Sequence, residues 1–163
     1  MKIIVKSAEN MKKIGRETAE KTVNGKKRNA VIVALTGELG SGKTTFAQGF
    51  LGYLVVKNAN SPTFVIMKKY SPAKIFTRPP KFQRNLRRVK NLGGQAFYLY
   101  HIDCYRIRSS RDLVELDFNE IAKNPHNIIL IEWAERINDL LPKNIIRINF
   151  KHKNEKERII NIF

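Results

Sequence analysis

Apolar residues run almost without a break through AVIVALT (30–36) and NIILIEW (127–133), the pattern of strands buried on both faces of a parallel sheet. KIIVKS (2–7) is shorter and mixed, which predicts an edge strand. Between 8 and 23, Met11, Ile14, Ala19 and Val23 recur at helical spacing until Asn24-Gly25 stops the run. A second helix is predicted over 43–54. TFVIMKKY (63–70), after Ser61-Pro62, and AFYLYHID (96–103), after Gly93-Gly94, read as strands. RDLVELDFNEIAK (111–123) reads as one helix, with Pro125 ending it, and IIRINFKH and ERIINIF as an antiparallel pair. Helices alternating with buried strands predict an α/β fold: a mainly parallel sheet flanked by helices, with an antiparallel C-terminal strand pair.

The 163 residues suit one domain, 1–163, large enough to bury a real core. No apolar run reaches bilayer length, and Lys6 interrupts the N-terminal stretch before a signal-peptide core can form, so a cytoplasmic protein with no membrane contact is expected. Cys104 is the single cysteine, which excludes an internal disulfide and fits a reducing compartment. The formal charge of +17 favours contact with nucleic acid or an acidic surface, although a chain this rich in Lys, Asn and Ile also carries charge through composition alone. Its distribution is more informative. No Asp or Glu occurs between Glu38 and Asp103, and within that interval 68–90 is basic throughout and holds Pro72, Pro79 and Pro80. A basic insert at about 71–95 is the consequence.

GELGSGKTT (37–45) carries the chemistry. Gly37-x-x-x-x-Gly42-Lys43-Thr44 satisfies the P-loop pattern, between a predicted strand and a predicted helix, as that pattern requires. Glycine lets the loop bend sharply and lets its N–H groups approach phosphate, while the helix N-terminus adds partial positive charge. Lys43 would reach the β- and γ-phosphates and Thr44 would place its hydroxyl on Mg²⁺. Thr45, standing where a dinucleotide-binding fingerprint has its last glycine, excludes that alternative.

Mg²⁺ at a P-loop needs a carboxylate on a neighbouring strand, and Glu132 and Asp103 each close an apolar run. Either is otherwise a solvated strand end. His101, two residues before Asp103, shares its strand face and reads either as support for the site or as a hydrogen-bonded structural histidine. His126 and His152 have no metal-ligand spacing with it, so no zinc site is expected.

Taken in order, G-E-L-G-S-G-K-T-T-F, S-P-T-F, Y-H-I-D-C-Y-R-I and I-E-W-A-E-R resemble the TsaE (YjeE) family of bacterial P-loop ATPases, from about residue 8 to the end apart from the insert. The resemblance implies a P-loop NTPase-like fold with ATP/ADP and Mg²⁺ as cofactors; no obvious arginine finger is fixed in the sequence, so slow hydrolysis that a partner stimulates is expected. The resemblance also implies TsaD and TsaB as partners in threonylcarbamoyladenosine (t6A) modification of tRNA, with the transfer chemistry in TsaD. Gly37, Glu38, Leu39, Gly40, Ser41, Gly42, Lys43, Thr44 and Thr45 would line the cradle, and Thr63 would sense the γ-phosphate. Lys43, Asp103 and Glu132 become the catalytic set, Glu132 joining Thr44 at the metal and Asp103 positioning water, with those two carboxylate roles exchangeable. Trp133 is either close to nucleotide or partner or a half-buried strand-end aromatic; Tyr105 and Arg106 contact phosphate or partner, or pair on the surface. Two departures stand out: the insert, which is either a tRNA-facing arm or a tolerated insertion, and Met11, which stands where the family commonly has threonine. Two other classes fit parts of the chain. One is a small-molecule or nucleoside kinase with Arg78, Arg84, Arg87 and Arg88 as a lid; the other is a nucleic-acid-binding module with a vestigial P-loop.

Overall fold

A computed structural model describes residues 1–23, 28–54, 66–70 and 98–163. Thr63 and the basic insert, with the four arginines of the kinase reading, lie outside the described residues. The elements are β1 (Lys2–Val5), α1 (Ala8–Val23), β2 (Val31–Gly37), α2 (Lys43–Leu54), β3 (Met67–Tyr70), β4 (Leu99–Asp103), α3 (Arg111–Val114), α4 (Phe118–Lys123), β5 (Ile128–Glu132), β6 (Ile146–His152) and β7 (Arg158–Ile162). Short 3-10 turns follow β4 at Cys104–Arg106 and β5 at Ala134–Ile137.

One seven-stranded sheet runs in the order β1-β7-β6-β2-β5-β4-β3. Its centre, β6-β2-β5-β4, is parallel, and the flanking pairs β6-β7, β7-β1 and β4-β3 are antiparallel. The expected α/β architecture and C-terminal antiparallel pair are therefore present, and β1 is an edge strand. Alternation along β2 explains its unbroken apolar run. Val33 and Leu35 join Phe46, Phe50, Leu130 and Phe150 on one side, while Ile32 and Ala34 join Ile102, Leu113, Phe118 and Ile131 on the other. All of these are buried, so each strand residue finds a core whichever way it points.

Helices α1 and α2 cover the first face. Ser7 starts α1, its hydroxyl accepting from the Asn10 N–H at 3.1 Å. Glycine sets how closely the two helices cross. A Cβ on Gly49 would lie 2.1 Å from the Lys12 carbonyl oxygen, and one on Gly15 would lie 2.3 Å from that of Phe46. The backbones touch there, which brings the start of α1 alongside the loop that precedes α2.

The single helix expected over 111–123 is instead two, broken at Asp117, which takes a left-handed φ of 59°. Leu113 and Phe118 are both buried. On one continuous helix, residues five apart point roughly 140° from each other, so only one of them could reach the core. Aspartate tolerates the left-handed turn that lets both do so.

Candidate functional site

The loop from Gly37 to Gly42 leaves the C-terminal end of β2 at the centre of the parallel strands, where open α/β sheets place ligands. Gly37, Gly40 and Gly42 have φ of 135°, 71° and 104°, which other residues rarely adopt. A Cβ on Gly42 would lie 2.6 Å from Met11 Cε, so that a side chain there would have to push the methionine end aside as well as hold a left-handed φ. Met11, the departure noted above, therefore packs directly beneath the loop. The Phe46 N–H donates to the Gly42 carbonyl at 2.9 Å, closing the first turn of α2, so the N–H groups ahead of it face the loop.

Lys43 is buried, and its ammonium donates to the carbonyls of Gly37 at 2.6 Å and Glu38 at 2.8 Å. Burial lowers its pKa below the ordinary lysine value, opposed by attraction to Glu135, Glu132, Asp103 and Glu38. The ammonium also lies 3.6 Å from the centroid of the Trp133 ring. Trp133 holds a left-handed φ of 59°, a strained conformation for a bulky residue, and this turns the chain as it leaves β5. Trp133 is half-buried at the strand end, with the Tyr105 ring tilted against it at 5.1 Å between centroids.

Glu132 ends β5, in register with Leu35 of β2 and Asp103 of β4. It is fully buried. The Thr44 hydroxyl donates to its Oε2 at 2.7 Å, so the P-loop threonine and the strand-end carboxylate expected to share a metal are in direct contact. Oε1 lies 2.9 Å from His101 Nε2. His101 is thus a buried, hydrogen-bonded histidine whose partner is the strand-end carboxylate. Asp103 is nearly buried, and its Oδ1 accepts from the Tyr105 N–H at 3.0 Å, capping the turn at Cys104–Arg106. Cys104, beside it, is an inert thiol: burial, reinforced by Asp103 and Glu135, raises its pKa to about 12.

Three further residues surround the loop. The turn at Ala134–Ile137 brings Glu135 Oε1 to 3.5 Å from the Gly37 N–H. From the C-terminal hairpin, His152 Nε2 lies 3.0 Å from the Leu39 carbonyl, and Arg158 Nε donates to the Gly40 carbonyl at 3.2 Å. Glu135 sits within a motif already quoted, but the two hairpin residues lie more than a hundred positions from the loop and carry no local signal. A cavity of about 170 Å³ opens between this hairpin and α1, lined by Ser7, Met11, Gly40, Gly42, Thr45 and Arg158.

Glycine-rich loop, buried lysine, helix N-terminus and a strand-end carboxylate on the P-loop threonine define a P-loop nucleotide-binding fold. Comparison with known proteins gives the particular family. The chain belongs to the TsaE family: the family described as "Threonylcarbamoyl adenosine biosynthesis protein TsaE" matches residues 5–160. Relatives named tRNA threonylcarbamoyladenosine biosynthesis protein TsaE include one from Rickettsia prowazekii, 35% identical over 80% of this chain and 76% of its own. Another, from Haemophilus influenzae, is 30% identical over 91% of this chain and 80% of its own. The crystal structure of YdiB from Bacillus subtilis superposes with a TM-score of 0.67 at 26% identity, covering 99% of this chain and 83% of that one.

Proposed function

We propose that this chain binds ATP with Mg²⁺ at the Gly37–Thr45 loop and hydrolyses it slowly as the ATPase component of tRNA t6A biosynthesis, acting in the cytoplasm on a TsaD–TsaB pair. The observation that carries the reading is the Thr44–Glu132 contact at 2.7 Å beside Lys43. The residues present fit the metal, because hydroxyl and carboxylate oxygens are the hard donors Mg²⁺ takes. Thr44 and Glu132 would hold it, and it would offset the negative charge of the β- and γ-phosphates. The buried Ser41 hydroxyl, without a partner among the described residues, also fits a loop whose polar groups serve a ligand.

Lys43 exchanges its two loop carbonyls for phosphate oxygens, and glycine N–H groups and the start of α2 stabilise the negative charge. A water attacks the γ-phosphorus while its bond to the bridging oxygen breaks, leaving ADP and phosphate. Asp103 orients that water. The cavity beside Thr45 takes the nucleoside side of the ligand, with Met11 as its apolar floor. Thr63 would sense the γ-phosphate, and the ATP-bound form docks on the partner pair until hydrolysis releases it.

Steady-state ATP hydrolysis, measured with Mg²⁺ for the chain alone and with TsaB and TsaD from the same source, tests the proposal. Stimulation by the pair, abolished together with nucleotide binding in Lys43→Ala, is expected. Tight ATP binding without stimulation would remove the partner coupling, and unchanged ATP binding by Lys43→Ala would remove the site.

A further inference from the structure

Glu132 has no solvent contact, and a carboxylate there must be satisfied by protein. Its side chain has two attractive directions. One is the Thr44 hydroxyl; the other is the ammonium of Lys43, which Glu132 already attracts. If the carboxylate swung to Lys43 it would engage the group needed for phosphate and leave Thr44 without its partner. His101 opposes that swing. It is buried on β4, and its Nε2 meets Oε1, the oxygen that Thr44 does not use. A carboxylate oxygen only accepts, so Nε2 carries the proton. Nδ1, on the far side of the ring, has no hydrogen-bond partner among the described residues. A buried N–H without a partner is rarer than an unfilled lone pair, which also places the ring proton on Nε2.

We propose that His101 is a positioning residue that pins Glu132 Oε1, so that Oε2 stays on Thr44 and the pair is set for the metal before nucleotide arrives. The inference rests on the nucleotide site proposed above. It assigns His101 no contact with substrate: the imidazole acts through Glu132, in the way a partner beyond the ligand shell orients a metal-binding carboxylate.

The first measurement needs neither nucleotide nor metal. In long-range ¹H–¹⁵N spectra of the full chain, the resonance absent from His101→Gln identifies His101 among the three histidines. Nε2 protonated and Nδ1 bare is expected; the opposite tautomer would overturn the proposal, because such a ring cannot donate to Glu132. The second is calorimetric affinity for ADP with Mg²⁺ and with EDTA, for wild type, His101→Gln and His101→Leu. His101→Leu should keep its affinity in EDTA while the gain from Mg²⁺ shrinks about tenfold or more. His101→Gln, whose amide can still donate, should recover most of that gain. Equal gains in wild type and His101→Leu would overturn the proposal, as would a loss in EDTA of the same size as in Mg²⁺. Failure of the nucleotide site itself is distinguishable, since wild type would then bind no ADP in either condition while the tautomer still reported on the His101–Glu132 bond.

Discussion

Glu132 carries a carboxylate to the centre of the sheet, where the Thr44 hydroxyl and the His101 ring are its hydrogen-bond partners among the described residues. Such a group is expensive to keep buried unless a cation completes its surroundings, and this is the physical case for a metal role. Glu132→Gln keeps the shape and removes the charge. It should leave ATP binding intact, because Lys43 and the loop are untouched, and lower hydrolysis at least about tenfold. Single-turnover assays with saturating ATP check this, and wild-type turnover would dismiss the metal assignment. Lys43, Thr44 and Glu132 were legible in the sequence because a local spacing and a strand end declare them. Glu135, His152 and Arg158 were not. Their proximity to the loop is created by a 3-10 turn and by a hairpin that closes from the far end of the chain, and periodicity encodes neither.

At the scale of elements, the buried strands could be read directly, since a strand with a core on each face has an apolar residue at every position. The helix expected over 111–123 was misread because Val114, Phe118, Ile121 and Ala122 keep helical spacing across Asp117, whereas the residues that are buried there, Leu113 and Phe118, are five apart. The contact between α1 and α2 is a tertiary fact of the same kind, with glycines that look merely unfavourable for a helix until the crossing is known. Two substitutions in α2 separate these effects. Alanine gains roughly 1 kcal/mol of helix propensity over glycine at either position. At Gly52 a Cβ meets nothing within 4 Å among the described residues, so Gly52→Ala should stabilise the chain by about that amount. At Gly49 the Cβ would stand 2.1 Å from a backbone oxygen that no rotamer can move, and forcing the helices apart should cost about 1–3 kcal/mol more than the propensity returns. Thermal unfolding of the pair should move in opposite directions. A melting temperature for Gly49→Ala at or above wild type would mean that the crossing is looser than its geometry indicates.

Over the whole molecule, 31 Lys and Arg stand against 14 Asp and Glu, and two of those carboxylates, Asp103 and Glu132, are buried at the site. Most of the positive charge is therefore uncompensated, and it repels itself more strongly in the compact fold than in the expanded chain. Salt should relieve this. Raising NaCl from about 20 mM to about 500 mM shortens the screening length from roughly 20 Å to about 4 Å, less than the spacing of most surface charges. A gain of about 1–2 kcal/mol would raise the melting temperature by roughly 2–8 °C for a chain of this size. Chloride is the right anion for the test, because sulfate or phosphate would also stabilise by binding the Gly37–Thr45 loop, a site effect that Lys43→Ala would remove. The chloride effect should be the same in Lys43→Ala as in wild type, since it belongs to the charge as a whole. A melting temperature that stays flat or falls with NaCl would mean that local ion pairs, such as Lys153 with Glu157 at 2.7 Å, stabilise the fold more than the net charge opposes it. In that case the excess of lysine would have to be explained by what the surface contacts.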